Sequence, residues 1–304
     1  MYPRAISRYS QEKRQTIAFT CGLLGVSRQF YYRRKWSIAK CQNRAEKVVD
    51  LVLDVRKQLP RVGTRKLHFM LKYPLGELHV GRDKLFSIVR ANHLDIKPKR
   101  SYHITTNSHH RFRKHKNLIA GMDICEPEQV WASDITYIGA RDNHSYLALI
   151  TDVYSKKIVG YDLSNSLRAD GSIRALKRAL KQRSYKDKPL IHHSDRGFQY
   201  CCDDYQQVLI NNQVITSMTE SYDPYANAVA ERVNGILKDE FMIEKYNLDR
   251  NQLKLLIKDS IEKYNTIRPH YSCYMLTPEQ MHRQNEIKIR TYKKPSLETI
   301  RGFL

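Results

Sequence analysis

The sequence predicts a mixed α/β sheet domain with flanking helices, preceded by an all-helical basic region. Three observations carry that reading. Residues 1–120 of the 304 hold 27 Lys and Arg against 7 Asp and Glu, whereas residues 121–304 hold 26 against 24. Apolar residues recur at helical spacing through the first part, and from about residue 122 three strand patterns follow one another before helices and strands alternate. Within that second part, acidic residues stand inside or directly beside strand patterns, where an acid is locally unfavourable and needs a reason.

Residues 10–21 read as a helix, Gly22–Gly25 as its break, and Ser27 as the N-cap of a second helix reaching Trp36. That second helix mixes Arg28, Arg33, Arg34 and Lys35 with Tyr31 and Tyr32, residue types suited to phosphate contact and groove insertion. A helix over 43–59 places Val48, Leu51, Val52 and Val55 on one face and is closed by Pro60. Thr64 caps a further helix carrying Arg65 and Lys66, and the helix after Gly81 turns Leu85, Ile88 and Val89 inward. The stretch 97–117 has too few apolar residues for a core. With Lys97, Lys99, Arg100, Arg111, Arg113 and Lys114 it reads as a basic linker lying along a nucleic-acid backbone.

Strands are expected over 130–138, 145–153 and 158–163, then a helix over 169–183, a strand over 189–193, a helix over 203–211, a strand over 214–218, and helices over 226–243 and 249–268. This order gives a five-stranded mixed sheet of RNase H-like arrangement. The expected organisation is a helix-turn-helix-type segment (1–58), a second small helical DNA-binding unit (59–96), the linker (97–121), the catalytic core (122–285) and a tail (286–304).

A net charge of +20 in residues 1–120 calls for a polyanionic partner, and nucleic acid leads over an anionic membrane surface because the basic residues do not oppose one exposed apolar face. No apolar run approaches the ~18 residues of a membrane span, so the expected location is the cytoplasm, associated with the nucleoid. The six cysteines contain no C-x-x-C pair and read as reduced thiols, and the histidines at 103, 109, 110 and 115 read as solvated linker residues rather than a zinc site.

Asp134 lies in WASDITY on the first strand, Asp195 follows the fourth strand in HHSDRGFQY, and Glu231 lies in the helix NAVAERVNGILKDEF. In such a sheet the first and fourth strands are neighbours, and the late helix crosses them. Three clustered carboxylates repel one another until a cation relieves them, and all-oxygen ligands select Mg²⁺ or Mn²⁺. Two such ions suit in-line phosphoryl transfer. Asn227, Asn234 and Lys238 share the Glu231 face at helical spacing, which places them towards bound DNA. A Ser194/His193 hydrolase pair is disfavoured, since neighbours on a strand point to opposite faces.

With 35 residues between Asp195 and Glu231, Lys238 seven positions on, and the tail words YNTIRPH and LTPEQ, the chain resembles the IS3-family insertion-sequence transposases of the DDE transposase and retroviral integrase superfamily. The resemblance implies binding to terminal inverted repeats, metal-dependent strand cleavage by Asp134, Asp195 and Glu231, and transfer of the freed 3′-hydroxyl into target DNA. It implies a homo-multimer on double-stranded DNA, acting alone, with an upstream-frame protein, or fused to it. The alternative is a catalytically idle DNA-binding repressor derived from a transposase.

Overall fold

The computed structural model describes residues 2–96, 115–139, 145–219, 227–246 and 248–283. It forms two compact units, one made of Met1–Lys57 with Gly63–Asp95 and the other of Gln58–Val62 with Ile96–Leu304. Among the described residues no helix is long and apolar enough to cross a membrane.

The first unit is helical: α1 (Tyr2–Glu12), α2 (Ile17–Leu23), α3 (Arg28–Gln58), α4 (Thr64–Met70), α5 (Lys72–Glu77) and α6 (Arg82–Ala91). The single helix expected over 10–21 is two. Arg14 turns the chain at φ 51°, and the Thr16 hydroxyl accepts the Phe19 N–H at 3.2 Å, so a competing N-cap starts a new helix. Conversely, the two helices expected over 27–36 and 43–59 are one, α3. Ser37–Gln42 contains neither Gly nor Pro, and nothing there stops a helix from continuing. Gly63, not Thr64, occupies the N-cap of α4. Tyr31, expected at a groove, is buried with Ile6 and Cys21, and its hydroxyl lies 2.7 Å from the Ser7 hydroxyl. Tyr32 and Trp36 remain exposed.

The second unit holds strands β1 (Val130–Ile138), β2 (Ser145–Asp152), β3 (Ile158–Ser164), β4 (Leu190–Ser194) and β5 (Val214–Met218), in the order β3-β2-β1-β4-β5. The first three form an antiparallel meander, and β4 and β5 run parallel to β1. This is the RNase H-like topology the sequence predicts. Helices are α7 (Ala169–Lys181), α8 (Phe198–Cys201), α9 (Asp203–Asn211), α10 (Ala228–Asp239), α11 (Arg250–Thr266) and α12 (Pro278–His282).

One sheet face buries Trp131, Ala148 and Ile150 against Ala175, Leu176 and Ala179 of α7 and Tyr205 and Leu209 of α9. The approach of α7 requires Gly160 on β3, because a Cβ there would stand 2.4 Å from the Ala175 carbonyl oxygen. Helix α10 packs on β1 and β2, with Asn234 reaching Asp134, whose side chain alternates to the face opposite Ile135 and the α7 core. The outer edge of β3 is covered: the Asn265 side chain of α11 bonds both backbone groups of Ile158 at 3.0 Å.

The end of α10 is fixed by a bidentate pair, Arg268 to Glu240, with both N···O distances 2.7 Å and the Arg268 side chain 2% exposed. Thr277 and Gln280 form the capping box read in the tail motif, with Pro278 at the first position of α12.

Candidate active site

Parallel pairing of β1 with β4 aligns Ser133 with Ser194, so the next residues, Asp134 and Asp195, emerge side by side. Asp134 is half-buried. One of its carboxylate oxygens accepts the Ile135 N–H at 2.9 Å, and the other accepts the Asn234 side-chain amide at 2.7 Å. Burial, followed by the charges of Asp195 and then Glu231, pushes its carboxyl up to about 7, against the two hydrogen bonds that oppose the shift. Both other predicted acids therefore act on Asp134. Among the described residues the three are not gathered tightly enough to form a ligand cluster, and Glu231 on α10 is exposed.

Asp195 is oriented by its own loop. The Gly197 N–H donates to Asp195 Oδ1 at 3.0 Å. Gly197 has an ordinary φ of −66°, so its backbone conformation does not demand a glycine. It is needed instead for space, since a Cβ would lie 2.9 Å from the same carboxylate oxygen.

Asn227 and Asn234 were expected to face DNA, but their amides serve the protein. Asn227 donates to the Ser133 carbonyl at 3.1 Å, and Asn234 holds Asp134. Among the described residues, neither buried side-chain oxygen has a hydrogen-bond partner. Lys238 is held by Glu244 at 2.7 Å. In the helical unit Arg28, Arg33, Arg34, Lys35 and Arg65 are exposed and Lys66 is half-buried. Lys97, Lys99, Arg100, Arg111, Arg113 and Lys114 lie outside the described residues.

A buried aromatic layer under the acids went unread. His192 Nε2 is shared by the Ser133 hydroxyl at 2.6 Å and the Tyr205 hydroxyl at 2.9 Å, and burial followed by neighbouring His193 lowers its pKa to about 3. It is a neutral structural imidazole. Tyr200 packs edge-on against Tyr205. Burial, with the charges of Asp134 and Asp195, pushes its phenol well up, so it stays an O–H. The only available signal was HHSDRGFQY itself, where polar and aromatic residues alternate without showing which are inside. Ser194 donates to the Asp195 carbonyl and His193 pairs with Ser217, so Ser194 and His193 do not pair with each other.

The donor set fits a hard divalent cation. Carboxylate oxygens face the site, and among the described residues no ammonium or guanidinium is bonded to Asp134, on which two further carboxylates act.

Two Integrase core domain family models match, one over residues 125–224 and the other over 212–278, together spanning all three acids. The insertion element IS600 31 kDa protein of Shigella sonnei is 33% identical over 264 residues, which is 85% of this chain and 95% of that protein. The InsF transposase of insertion sequence IS3A from Escherichia coli is 34% identical over 52% of this chain, and the match spans 55% of InsF. Among solved structures, the HTLV-2 integrase catalytic core in complex with magnesium is 21% identical over 52% of this chain and 97% of its own, with TM-score 0.42. An integrase chain of a simian T-cell lymphotropic virus intasome is 18% identical over 77% and 79%, with TM-score 0.47. Since the IS600 protein aligns along nearly its whole length and the integrase core covers each of the three carboxylates, the chain belongs to the IS3 family of DDE transposases.

Proposed function

We propose that the chain binds the terminal inverted repeats of its own element through its basic helical region and cuts and joins DNA strands at Asp134, Asp195 and Glu231. The observation that carries this reading is geometric: the β1–β4 pairing sets Asp134 beside Asp195, and Asn234, on the helix that bears Glu231, is bonded to Asp134. A divalent ion, Mg²⁺ or Mn²⁺ and two per site in the full reading, offsets such crowding when bound and supplies charge stabilisation for in-line displacement at phosphorus.

The chain's own residues supply position. Asn234 fixes the rotation of Asp134, and Asn227 pins the backbone beside it. The Gly197 N–H fixes Asp195. Glu231, exposed on α10, would supply the third carboxylate ligand. The buried oxygens of Asn227 and Asn234 suit water O–H donors, which a hydrated Mg²⁺ retains. Lys238, on the Glu231 face of α10, would leave Glu244 for a phosphate of the bound strand. Double-stranded DNA, as element ends and target, is the partner, and the working form is a homo-multimer pairing two ends in the cytoplasm at the nucleoid, with or without an upstream-frame protein.

The test is incubation of the chain with labelled element-end duplex and Mg²⁺. Asp134→Asn, Asp195→Asn and Glu231→Gln are each expected to lose cleavage by about 10²-fold or more, with DNA binding kept within about twofold, as expected for groups that carry charge only into the reaction. A variant that cleaves like the parent removes that residue from the site.

A further inference from the structure

The helical unit presents one helix face whose composition its packing does not explain. Helix α2 and the start of α3 are joined across Gly25, which takes φ 66°, and the Val26 N–H returns to the Cys21 carbonyl at 3.0 Å. The Ser27 hydroxyl accepts the Phe30 N–H at 3.0 Å, as an N-cap does at a helix start. Beyond this turn Tyr31 is buried against Ile6 and Cys21, and its hydroxyl lies 2.7 Å from that of Ser7. Tyr31 therefore sets the rotation of α3 about its axis, and with it which residues point outward.

At roughly 100° per residue, Gln29, Arg33, Trp36 and Lys40 fall about 140° to 200° from Tyr31, on one stripe directed away from α1 and α2. All four are exposed. Trp36 is 66% exposed, and Lys40 Nζ stands 5.0 Å from the centre of its ring. Arg28 and Lys35 lie on one side of Tyr31, about 40° to 60° round the helix, and Arg34 about 60° on the other. Residues 27–45 hold six Lys and Arg and no Asp or Glu, so the face calls for a polyanion, and a second copy presenting it would be repelled.

A helix is about 10 to 12 Å across and the major groove of DNA about 12 Å wide. With the stripe towards the groove floor, the flanking cations reach the phosphate row on either side. Gln29 stands in the first turn of α3, the end of a recognition helix that meets base edges. Its carboxamide both donates and accepts, matching N6 and N7 of adenine, whereas the guanidinium of Arg33 matches O6 and N7 of guanine. The two residues are about 6 Å apart along the axis, close to two base-pair steps of ~3.4 Å. We propose that Gln29 and Arg33 read base edges, an adenine and a guanine about two steps apart, and so set the sequence that the helical region recognises. The proposal deepens the DNA-binding reading above and rests on it.

The test is selection by the full chain from a randomised duplex pool, followed by sequencing of the bound fraction. The parent is expected to favour adenine and guanine at two such positions by roughly 5- to 150-fold each. Gln29→Ala should reduce the adenine preference below about twofold and leave the guanine, and Arg33→Ala the converse. Gln29→Glu, whose carboxylate only accepts, should move the first preference to cytosine. The salt slope should be unchanged in Gln29→Ala. In the double variant Arg34→Gln, Lys35→Gln it should fall by roughly 1.8, at ~0.9 per phosphate contact, with the selected sequence kept. Asp134→Asn should select the parental sequence and lose cleavage, so the two readings fail separately. A selected sequence that survives both Gln29→Ala and Arg33→Ala overturns the proposal, as does a parent that selects none. Loss of self-association in Trp36→Ala with the parental sequence kept assigns the face to a protein partner and overturns it too.

Discussion

Asp134→Asn should stabilise the metal-free chain, and by an amount that grows with pH. The carboxyl of Asp134 stands at about 7 in the fold, because burial and the charges of Asp195 and Glu231 disfavour its ionised form, against 3.8 for the free side chain. Between those two values the unfolded chain has released a proton that the folded chain still holds. Stability therefore falls as pH rises through that window, by about 1.4 kcal/mol per pH unit. Full burial would give about 4 kcal/mol by pH 7 to 8. Solvent still reaches part of the side chain, which lowers the expectation to about 2 to 4 kcal/mol. Asparagine is isosteric, keeps an oxygen for Asn234, and has no proton to lose. The assay is urea unfolding in chelator at pH 4, 5, 6, 7 and 8, followed by the fluorescence of Trp131, which is fully buried in β1. Trp36, on the first unit, reports separately. Variant and parent should nearly coincide at pH 4, diverge through pH 5 to 7, and run parallel above. Mg²⁺ should narrow the gap above pH 6 by favouring the ionised parent. Parallel curves from pH 4 to 8 would refute the claim that the acids act on Asp134.

Three further outcomes follow from the packing. Arg268→Ala leaves Glu240 unpaired at the end of α10 and should cost about 3 kcal/mol or somewhat less, read as a lower urea midpoint of the Trp131 transition. Arg268→Lys cannot restore the bidentate fork and should recover less than half of that loss. Gly160→Ala drives a Cβ into the Ala175 carbonyl and should destabilise the same transition by about 1 to 3 kcal/mol, whereas Gly76→Ala, with open space around it, should not move it. Tyr31→Phe removes the hydroxyl paired with Ser7 and should lower the stability of the helical unit by about 1 kcal/mol in circular dichroism melts, with the Trp131 transition unchanged.

The strands were legible from their residue pattern, and two of the proposed acids from where they stand beside those strands. Asp134 is an acid among strand formers, and Asp195 follows an apolar strand. Glu231 is one charge among many on an amphipathic helix and became legible only through its spacing to Asp195. What the sequence could not show was which partner a polar side chain takes. The helical face of Asn227, Glu231 and Asn234 was right, but helical phase alone does not say whether that face meets solvent or a strand. It meets Ser133 and Asp134. Tyr31 failed for a similar reason: its amphipathic side chain suits a groove or a core, and Ile6 and Cys21 decide the matter from elsewhere in the chain. The split of the first helix and the fusion of the next two depend on single residues, an N-capping Thr16 and the lack of any breaker between Ser37 and Gln42. Helix α8 is four residues long, too short for any periodic signal.

The near-zero charge of the catalytic part is the sum of two opposed local fields, and their separation explains the state of Asp134. Arg174 and Arg178 are held by Asp162 on the sheet face opposite Asp134. Two unit charges 10 Å apart in a water-like dielectric interact by only about 0.4 kcal/mol, roughly a third of a pH unit, and salt reduces this further. Each such cation therefore does little to relieve Asp134, while two nearby carboxylates hold its pKa up. A net count of charge treats both sets as if they cancelled. They cannot cancel at the site, so relief there comes from the proton that Asp134 holds up to about pH 7 or, in the function proposed above, from a cation bound among the acids themselves.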